Sequence, residues 1–405
     1  MSKKIKVAIV GVGNCAKSLV EGVLKYSQPE YEGKEIPGIM FETVGGYRVS
    51  DIEFAVAYDI DTRKYNYPLS HAIYQEPNCA IDILPGREGE CSRLFSDLKE
   101  IAECPVYPAP LLDGVADHMG TNTPTTFSPH NISEYMVGNV DGFAIELQDL
   151  EVDVLLNYLP VGSEKATEFW AEVCVRSGVA MVNCIPSFIA SDEQWANKFI
   201  DARIPIIGDD MRSQFGASIL SAVLQDLMYS RGIDVKMHYQ DNIGGNTDFL
   251  NMQDKDRLSS KKVSKENVIR AQAKVSGKEI KEHEIHAGPA NYFTSLGDNK
   301  RAHILMKGEG FGGAPIELSA ELSVQDSPNS AGVVIEAIRM IMSAKNKGIV
   351  GPLAGPSAWT QKTPPMDMRP GDAYSECKAF AESDEIPDGY VKINDGYYIH
   401  CSYCR

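Results

Sequence analysis

A chain of 405 residues with a formal charge of −17 is too long for one small core and too acidic for a general nucleic-acid binder, which would carry a basic face. No apolar run nears the ~20 residues of a membrane-spanning helix, and the Met1-Ser-Lys-Lys start runs straight into a strand pattern with no signal-peptide stretch, so the expected setting is cytoplasmic. The nine cysteines are scattered and odd in number, which fits free core thiols in a reducing compartment better than a disulfide framework.

Residues 5–10, rich in β-branched side chains, predict a buried parallel strand. Gly11-Val-Gly13-Asn14-Cys15-Ala16 follows at once, and 17–26 reads as a helix. Strand, glycine turn and helix are the setting of a dinucleotide fingerprint. Gly11 makes the turn, Gly13 admits a pyrophosphate to the backbone, and Ala16 takes the place of the third glycine. The pyrophosphate would rest on the helix N-terminus, which brings Asn14 and Cys15 to the cofactor. Residues 27–50, rich in Pro, Gly and Tyr, read as an insertion before a second strand at 54–58. Asp59 ends that strand, where an acid is expected to bind the adenosine ribose and favour NAD over NADP; the insertion doubles the usual ~20-residue spacing.

Between 60 and 130 the pattern is poor, with 80–84 a candidate strand. A regular alternation then returns: strands at 152–156, 179–182 and 204–207, with helices at 164–177 and 191–200 between them. Such alternation predicts an α/β fold, a Rossmann-like doubly wound parallel sheet with ligands at the carboxyl ends of its strands. Asn157, Ser163, Asn183 and Asp210 all fall at such ends and together read as a cofactor rim.

Past Asp210 the pattern changes. A helix is predicted at 213–230 with Ser213 as its N-cap, and strands at 233–240, 301–307 and 316–324 follow without full helical crossovers, which points to an antiparallel or mixed sheet. Residues 212–325 therefore read as an inserted α+β domain, catalytic and oligomerising, within a dinucleotide-binding domain of 1–211 and 326–405. A helix opening at Asp326 and running to about residue 345 returns the chain, and the tail from 363 is expected to pack loosely over the surface. His283 and His286 read as surface, and Cys401-x-x-Cys404 lacks the second pair that a structural zinc site wants.

The chemistry concentrates in 241–265. Gly244 and Gly245 allow a close backbone approach, and Asn246, Thr247 and Asp248 offer a polar cap at a helix start. Lys261, Lys262 and Lys265 then gather cations beside the glycine turn, an arrangement suited to a phosphate ester. Ser264 reads as an N-cap, which leaves Lys261 in a loop and Lys265 in a first helical turn.

Taken together, Ala8-Ile-Val-Gly-Val-Gly-Asn-Cys-Ala16, Tyr158-Leu-Pro-Val-Gly-Ser-Glu164, Gly208-Asp-Asp-Met-Arg-Ser-Gln214, Gly244-Gly-Asn-Thr-Asp-Phe-Leu-Asn251, Ser259-Ser-Lys-Lys-Val-Ser-Lys265 and Asp326-Ser-Pro-Asn-Ser-Ala-Gly332 resemble the myo-inositol-phosphate synthase family, in its bacterial and archaeal branch. Arg212 stands where that family usually has lysine, and nothing beyond about residue 370 shares the likeness. The resemblance implies a homotetramer that isomerises D-glucose 6-phosphate to 1L-myo-inositol 1-phosphate with tightly held NAD: oxidation at C5, enolisation, aldol closure and return of the hydride. It implies that Lys261 and Lys362 handle protons at the C5 oxygen, and that Lys265 and Lys300 hold phosphate or stabilise charge at the cyclising carbons. Ser213, Gln214 and Gly216 would hold the phosphate. Asp210, Asn246, Asp248 and Asp326 would line the site, with Asp248 and Asp326 candidates for a divalent or monovalent cation beside the cofactor phosphates. The N-terminal pattern alone would equally serve a sugar-phosphate dehydrogenase, and Arg212 with the unmatched tail leaves a non-catalytic NAD-binding sensor as a third reading.

Overall fold

Strand β1 (Ile5–Val10) sends Ile5, Val7 and Ile9 to one face and Ala8 and Val10 to the other, and both sets are fully buried. A strand apolar on both faces needs helices on both. The computed structural model describes residues 4–84, 103–116, 119, 127–132, 138–393 and 396–404; within these, the side chains of 255, 256, 258–264, 289 and 290 lie outside the description.

The first sheet is parallel throughout. It joins β1 to β2 (Ile52–Asp59), β3 (Val106–Pro108), β4 (Val154–Asn157), β5 (Ala180–Asn183), β6 (Pro205–Ile207) and β11 (Gly351–Pro352), in the order β11-β6-β5-β4-β1-β2-β3. That is the doubly wound order, with the strand sequence reversing between β1 and β4. One face packs on α1 (Asn14–Tyr26), α8 (Asp326–Asn346) and α10 (Pro370–Glu382); the other packs on α2 (Val140–Asp149), α3 (Glu164–Ser177) and α4 (Glu193–Asp201). The expected strand at 80–84 is not one. The third strand lies instead in the proline-rich stretch, because Val106 N–H and O pair with Tyr67 and Asn66 while 80–83 is held as a loop by Lys17 and Glu21 of α1.

The 27–50 insertion precedes β2 and is fastened to α8: the fully buried Glu336–Arg339 pair accepts from Met40 and Phe41 N–H and donates to the carbonyls of Phe41 and Glu42. The tail is not the loose cover expected. Cys377 and Phe380 of α10 enter the core beside α8, and β12 (Tyr390–Lys392) pairs with β13 (Tyr398–His400). All cysteines among the described residues are free thiols.

The second sheet is mixed, in the order β10-β9-β7-β8, with β7 (Asp234–Gly244) parallel to β8 (Ile285–Tyr292) and antiparallel to β9 (Asn299–Glu309), which pairs antiparallel with β10 (Pro315–Gln325). Its covered face buries Ile285, Ile304 and Met306 against Met228 of α5 (Ala217–Ser230) and Ile269 and Ala273 of α7 (Lys255–Val275). Along β10 every second residue from Pro315 to Ser323 is exposed, so the far face is open. His283 and His286 do lie at the surface. Among the described residues no helix is long and apolar enough to cross a membrane.

Candidate active site

Every element that ends at the switch point of the parallel sheet borders one cleft, and the mixed sheet closes its far side. On the first wall lie Gly11, Gly13, Asn14 and Cys15, with Asp59 at the end of β2. Gly11 has φ +92, and a Cβ there would sit 2.6 Å from the Tyr158 carbonyl oxygen, so the turn requires glycine. Gly13 differs. Its Cβ would meet no protein atom within 4 Å, so the space beside it is kept for something other than the chain. Ala16 is buried behind the turn and packs α1 onto the sheet, the third-glycine task in the fingerprint. Asp59 is buried and accepts from the N–H groups of Val12 at 2.7 Å and Asp61 at 2.8 Å, so it braces the glycine turn as well as facing the cleft. Its neighbouring cations are both engaged: Lys64 donates to the Val12 carbonyl and Arg63 forks onto Asp61.

The residues expected as a cofactor rim divide. Asp210 lines the cleft, but Asn157, Ser163 and Asn183 lie behind its wall. Asn157 donates to Asn183 at 2.9 Å, and Asn183 donates to Asp209 at 2.7 Å, so the two amides tie the ends of β4, β5 and β6 to one another. Asp209 also accepts from Ile189, Ala190 and Ser191 N–H and the Ser191 hydroxyl; burial pushes its carboxyl up to about 6. This network holds the loop that carries Asp210, whose carboxylate receives Lys362 at 2.9 Å. In place of those amides the cleft receives Tyr158, the residue after Asn157. Its hydroxyl is buried with no hydrogen-bond partner among the described residues, and burial beside Cys184 and Cys15 pushes it well above the usual phenol range, so it remains a neutral donor. In the sequence analysis Tyr158 appears only within a family-like stretch and has no role.

The far wall centres on Asp326, at the start of α8. It takes the Lys300 ammonium of β9, with Asn246 Nδ2 at 3.4 Å and Ser213 Oγ at 3.5 Å. Beside it lies Asp298, two residues before Lys300, which the sequence analysis did not single out. Asp298 accepts from Asn246, Asn14 and both the N–H and hydroxyl of Ser327, and burial together with the Asp326 charge raises its carboxyl. A second acid next to a glycine and a lysine was the available signal. Asn246 caps α6 (Thr247–Asn251) by accepting from Phe249 N–H, as expected, and Asp248 in its first turn faces the cleft. Gly244 and Gly245 serve the fold itself: a Cβ on Gly245 would lie 2.5 Å from the Phe293 carbonyl oxygen, so the pair lets β7 pass under residues 293–297.

The phosphate segment is also re-sorted. The N-cap of α5 is Gly216, not Ser213, and both face the cleft with the free N–H groups of the helix start. Gln214 does not; its side chain lies against Gly332 and Gly38. Arg212 is half-buried outside the cleft lining near Asp210 and Asp367, and desolvation lowers it to about 10. The largest correction concerns the lysines. Residues 255–275 form one continuous helix, so Lys261 and Lys265 occupy positions i and i+4 of one helical face rather than a loop and a helix start. The Lys265 side chain is buried in the cleft wall; that of Lys261 lies outside the description.

These observations fit a dinucleotide: open space at Gly13, an unpartnered Tyr158 hydroxyl and an acid at the end of β2. Asp326 pairs with Lys300, and no group of three or more His, Cys, Asp or Glu gathers among the described residues.

A sequence model of the family described as myo-inositol-1-phosphate synthase matches residues 216–327. The inositol-3-phosphate synthase of Mycolicibacterium smegmatis is 40% identical over 386 residues, covering 94% of this chain and 98% of its own. That of Corynebacterium glutamicum is 40% identical over 380 residues, covering 93% and 98%. The chain belongs to the inositol-3-phosphate synthase family. Membership makes it an isomerase of inositol biosynthesis. A myo-inositol-1-phosphate synthase-related protein from Thermotoga maritima shares the fold at a TM-score of 0.73 and 22% identity, over 95% of this chain and all of that one. The fold also matches inositol-3-phosphate synthase from Caenorhabditis elegans, at a TM-score of 0.67 and 14% identity over 95% of this chain and 88% of that one.

Proposed function

We propose that the chain converts D-glucose 6-phosphate to 1L-myo-inositol 1-phosphate with bound NAD and no net oxidation. The observation that carries this is the meeting of Lys265, Lys300 and Lys362, from α7, β9 and the turn after α9 (Ala354–Thr360), in one cleft with the Gly11–Gly13 turn. Three cations around one reaction volume suit a phosphate ester and the negative charge that enolisation and ring closure develop. NAD in the cleft would supply a hydride acceptor that returns the hydride at the end. Gly13, Asn14 and Cys15 would meet its pyrophosphate, Asp59 its ribose, and Asp210, Asn246 and Asp326 its nicotinamide end. With Lys64 and Arg63 already engaged beside Asp59, no described cation there is placed for a 2′-phosphate, which supports NAD over NADP.

Lys362, steered by Asp210 and the Met211 carbonyl, would move the proton of the oxygen being oxidised, with Lys261 sharing that task. Lys300, aimed by Asp326, and Lys265 would stabilise charge at the cyclising carbons and hold the phosphate, whose oxygens Ser213 and Gly216 would receive at the α5 N-terminus. We assign residues 1–211 and 326–405 to a cofactor domain and 212–325 to a catalytic domain. The open face of its mixed sheet is the surface through which four copies would assemble, in the cytoplasm. Incubation with NAD and glucose 6-phosphate, followed by phosphorus NMR, tests the reaction. Inositol phosphate without NADH build-up is expected; stoichiometric NADH would mean a dehydrogenase, and NAD binding without turnover a sensor.

A further inference from the structure

Lys265 is useful only if α7 lies across the cleft, and α7 packs on the mixed sheet, away from the glycine turn. Among the described side chains that join them, Lys274 reaches Asp367 near the helix C-terminus and Arg257 reaches the cleft loops at its start. Arg257, in the first turn of α7, is buried, and its guanidinium donates to three carbonyls of the parallel-sheet half: Val161 at 3.0 Å, Asp113 at 2.5 Å and Val115 at 2.7 Å. Those carbonyls belong to the loops after β4 and β3, and Val161 and Gly114 themselves line the cleft. The stem of Arg257 lies over Gly162, where a Cβ would come within 2.6 Å of the arginine Cγ and where φ is +84, so glycine is needed on both counts. The receiving loop is itself anchored, because the Asp113 carboxylate accepts from the Lys165 and Ala166 N–H groups at the start of α3.

We propose that Arg257 is the positioning residue of the lysine helix: it latches α7 to both loops, sets Lys265 over the cleft and retains the cofactor. Five N–H donors in a rigid planar fork fix the directions to three carbonyls from two loops at once, which a point-like ammonium on a flexible stem does not. Lys265 follows Arg257 by eight residues, about 12 Å along the helix, so a shift at the latch carries to the lysine with little loss. Opening the latch frees the helix and both cleft-lining loops together.

The cofactor half of this inference rests on the NAD reading above, and its test separates the two. Arg257→Lys is compared with the unaltered enzyme by amide hydrogen exchange over the whole chain without ligand, and by the rate of NADH release in stopped-flow fluorescence. Faster exchange confined to α7 and the 113–115 and 161–163 loops, with NADH release faster by about tenfold and the melting temperature held, supports the latch. Unchanged exchange overturns it, and faster exchange with unchanged release overturns the positioning role. If the unaltered enzyme binds no NADH, the cofactor reading fails while exchange still decides the latch. Should Arg257→Lys not fold, Gly162→Ala attacks the same contact from the other side and is read the same way.

Discussion

Adding one methyl group to each glycine of the N-terminal turn separates cofactor binding from folding. At Gly13 the backbone is extended, with φ −109 and ψ −155, a conformation alanine adopts without strain, and the new Cβ would meet no protein atom within 4 Å. Gly13→Ala should therefore leave the unfolding free energy unchanged or raise it by about 0.4–1 kcal/mol, because alanine has less freedom to lose from the unfolded chain. The same methyl would occupy the space where a pyrophosphate must approach the backbone. NADH affinity should fall at least tenfold, about 1.4 kcal/mol. Gly11→Ala is the mirror case. Its φ of +92 and a 2.6 Å contact with the Tyr158 carbonyl oxygen put strain into the fold itself, costing roughly 1–3 kcal/mol. Thermal melts without ligand and NADH fluorescence titrations on both variants check the pair. An NADH dissociation constant for Gly13→Ala within twofold of the parent would refute the placement of the pyrophosphate.

Three further outcomes are expected. Tyr158→Phe removes a buried hydroxyl that has no partner, so the ligand-free protein should gain up to ~1 kcal/mol by urea unfolding while NADH binds more weakly; lower stability would show that the hydroxyl serves the fold. Lys362→Met should cut inositol phosphate formation at least ~100-fold, measured by phosphate release after oxidation of the product, and turnover near the parent value would remove Lys362 from the proton path. His238 is buried on β7 with Nδ1 against the Gln225 amide oxygen, and burial lowers it to about 3. The fold thus holds it neutral while the unfolded chain protonates it near 6.5, so its contribution is complete above pH 6.5 and is lost as pH falls toward 3. His238→Gln should reduce the loss of stability between pH 7 and 5 by roughly 2 kcal/mol, and an unaltered pH slope would contradict the assignment.

Much of the parallel sheet was legible because its strands are short apolar runs between glycine turns and amphipathic helices, all local patterns. The reading stumbled where tertiary partners override local signals. Residues 80–84 have strand composition but yield their backbone to Lys17 and Glu21, whereas the proline-rich 106–108 finds an open sheet edge beside β2. Ser264 resembles a helix cap, yet the backbone stays helical through it from Lys255. The tail has little periodicity until α10, but Phe380 fills the core next to α8.

Family membership, the glycine turn after β1 and the lysines proposed for the site could all be read from residue identity at close spacing. Only the tertiary structure decided which polar residues face the cleft. Asn157 and Asn183 have the right chemistry at strand ends but spend it on neighbouring backbone and side chains, and Gln214 lies against Gly38 and Gly332, while Tyr158, Asp298 and Arg257 are placed by contacts across tens to hundreds of residues. Side-chain direction at a strand end is set by what packs beside it, and that is a property of the assembled fold.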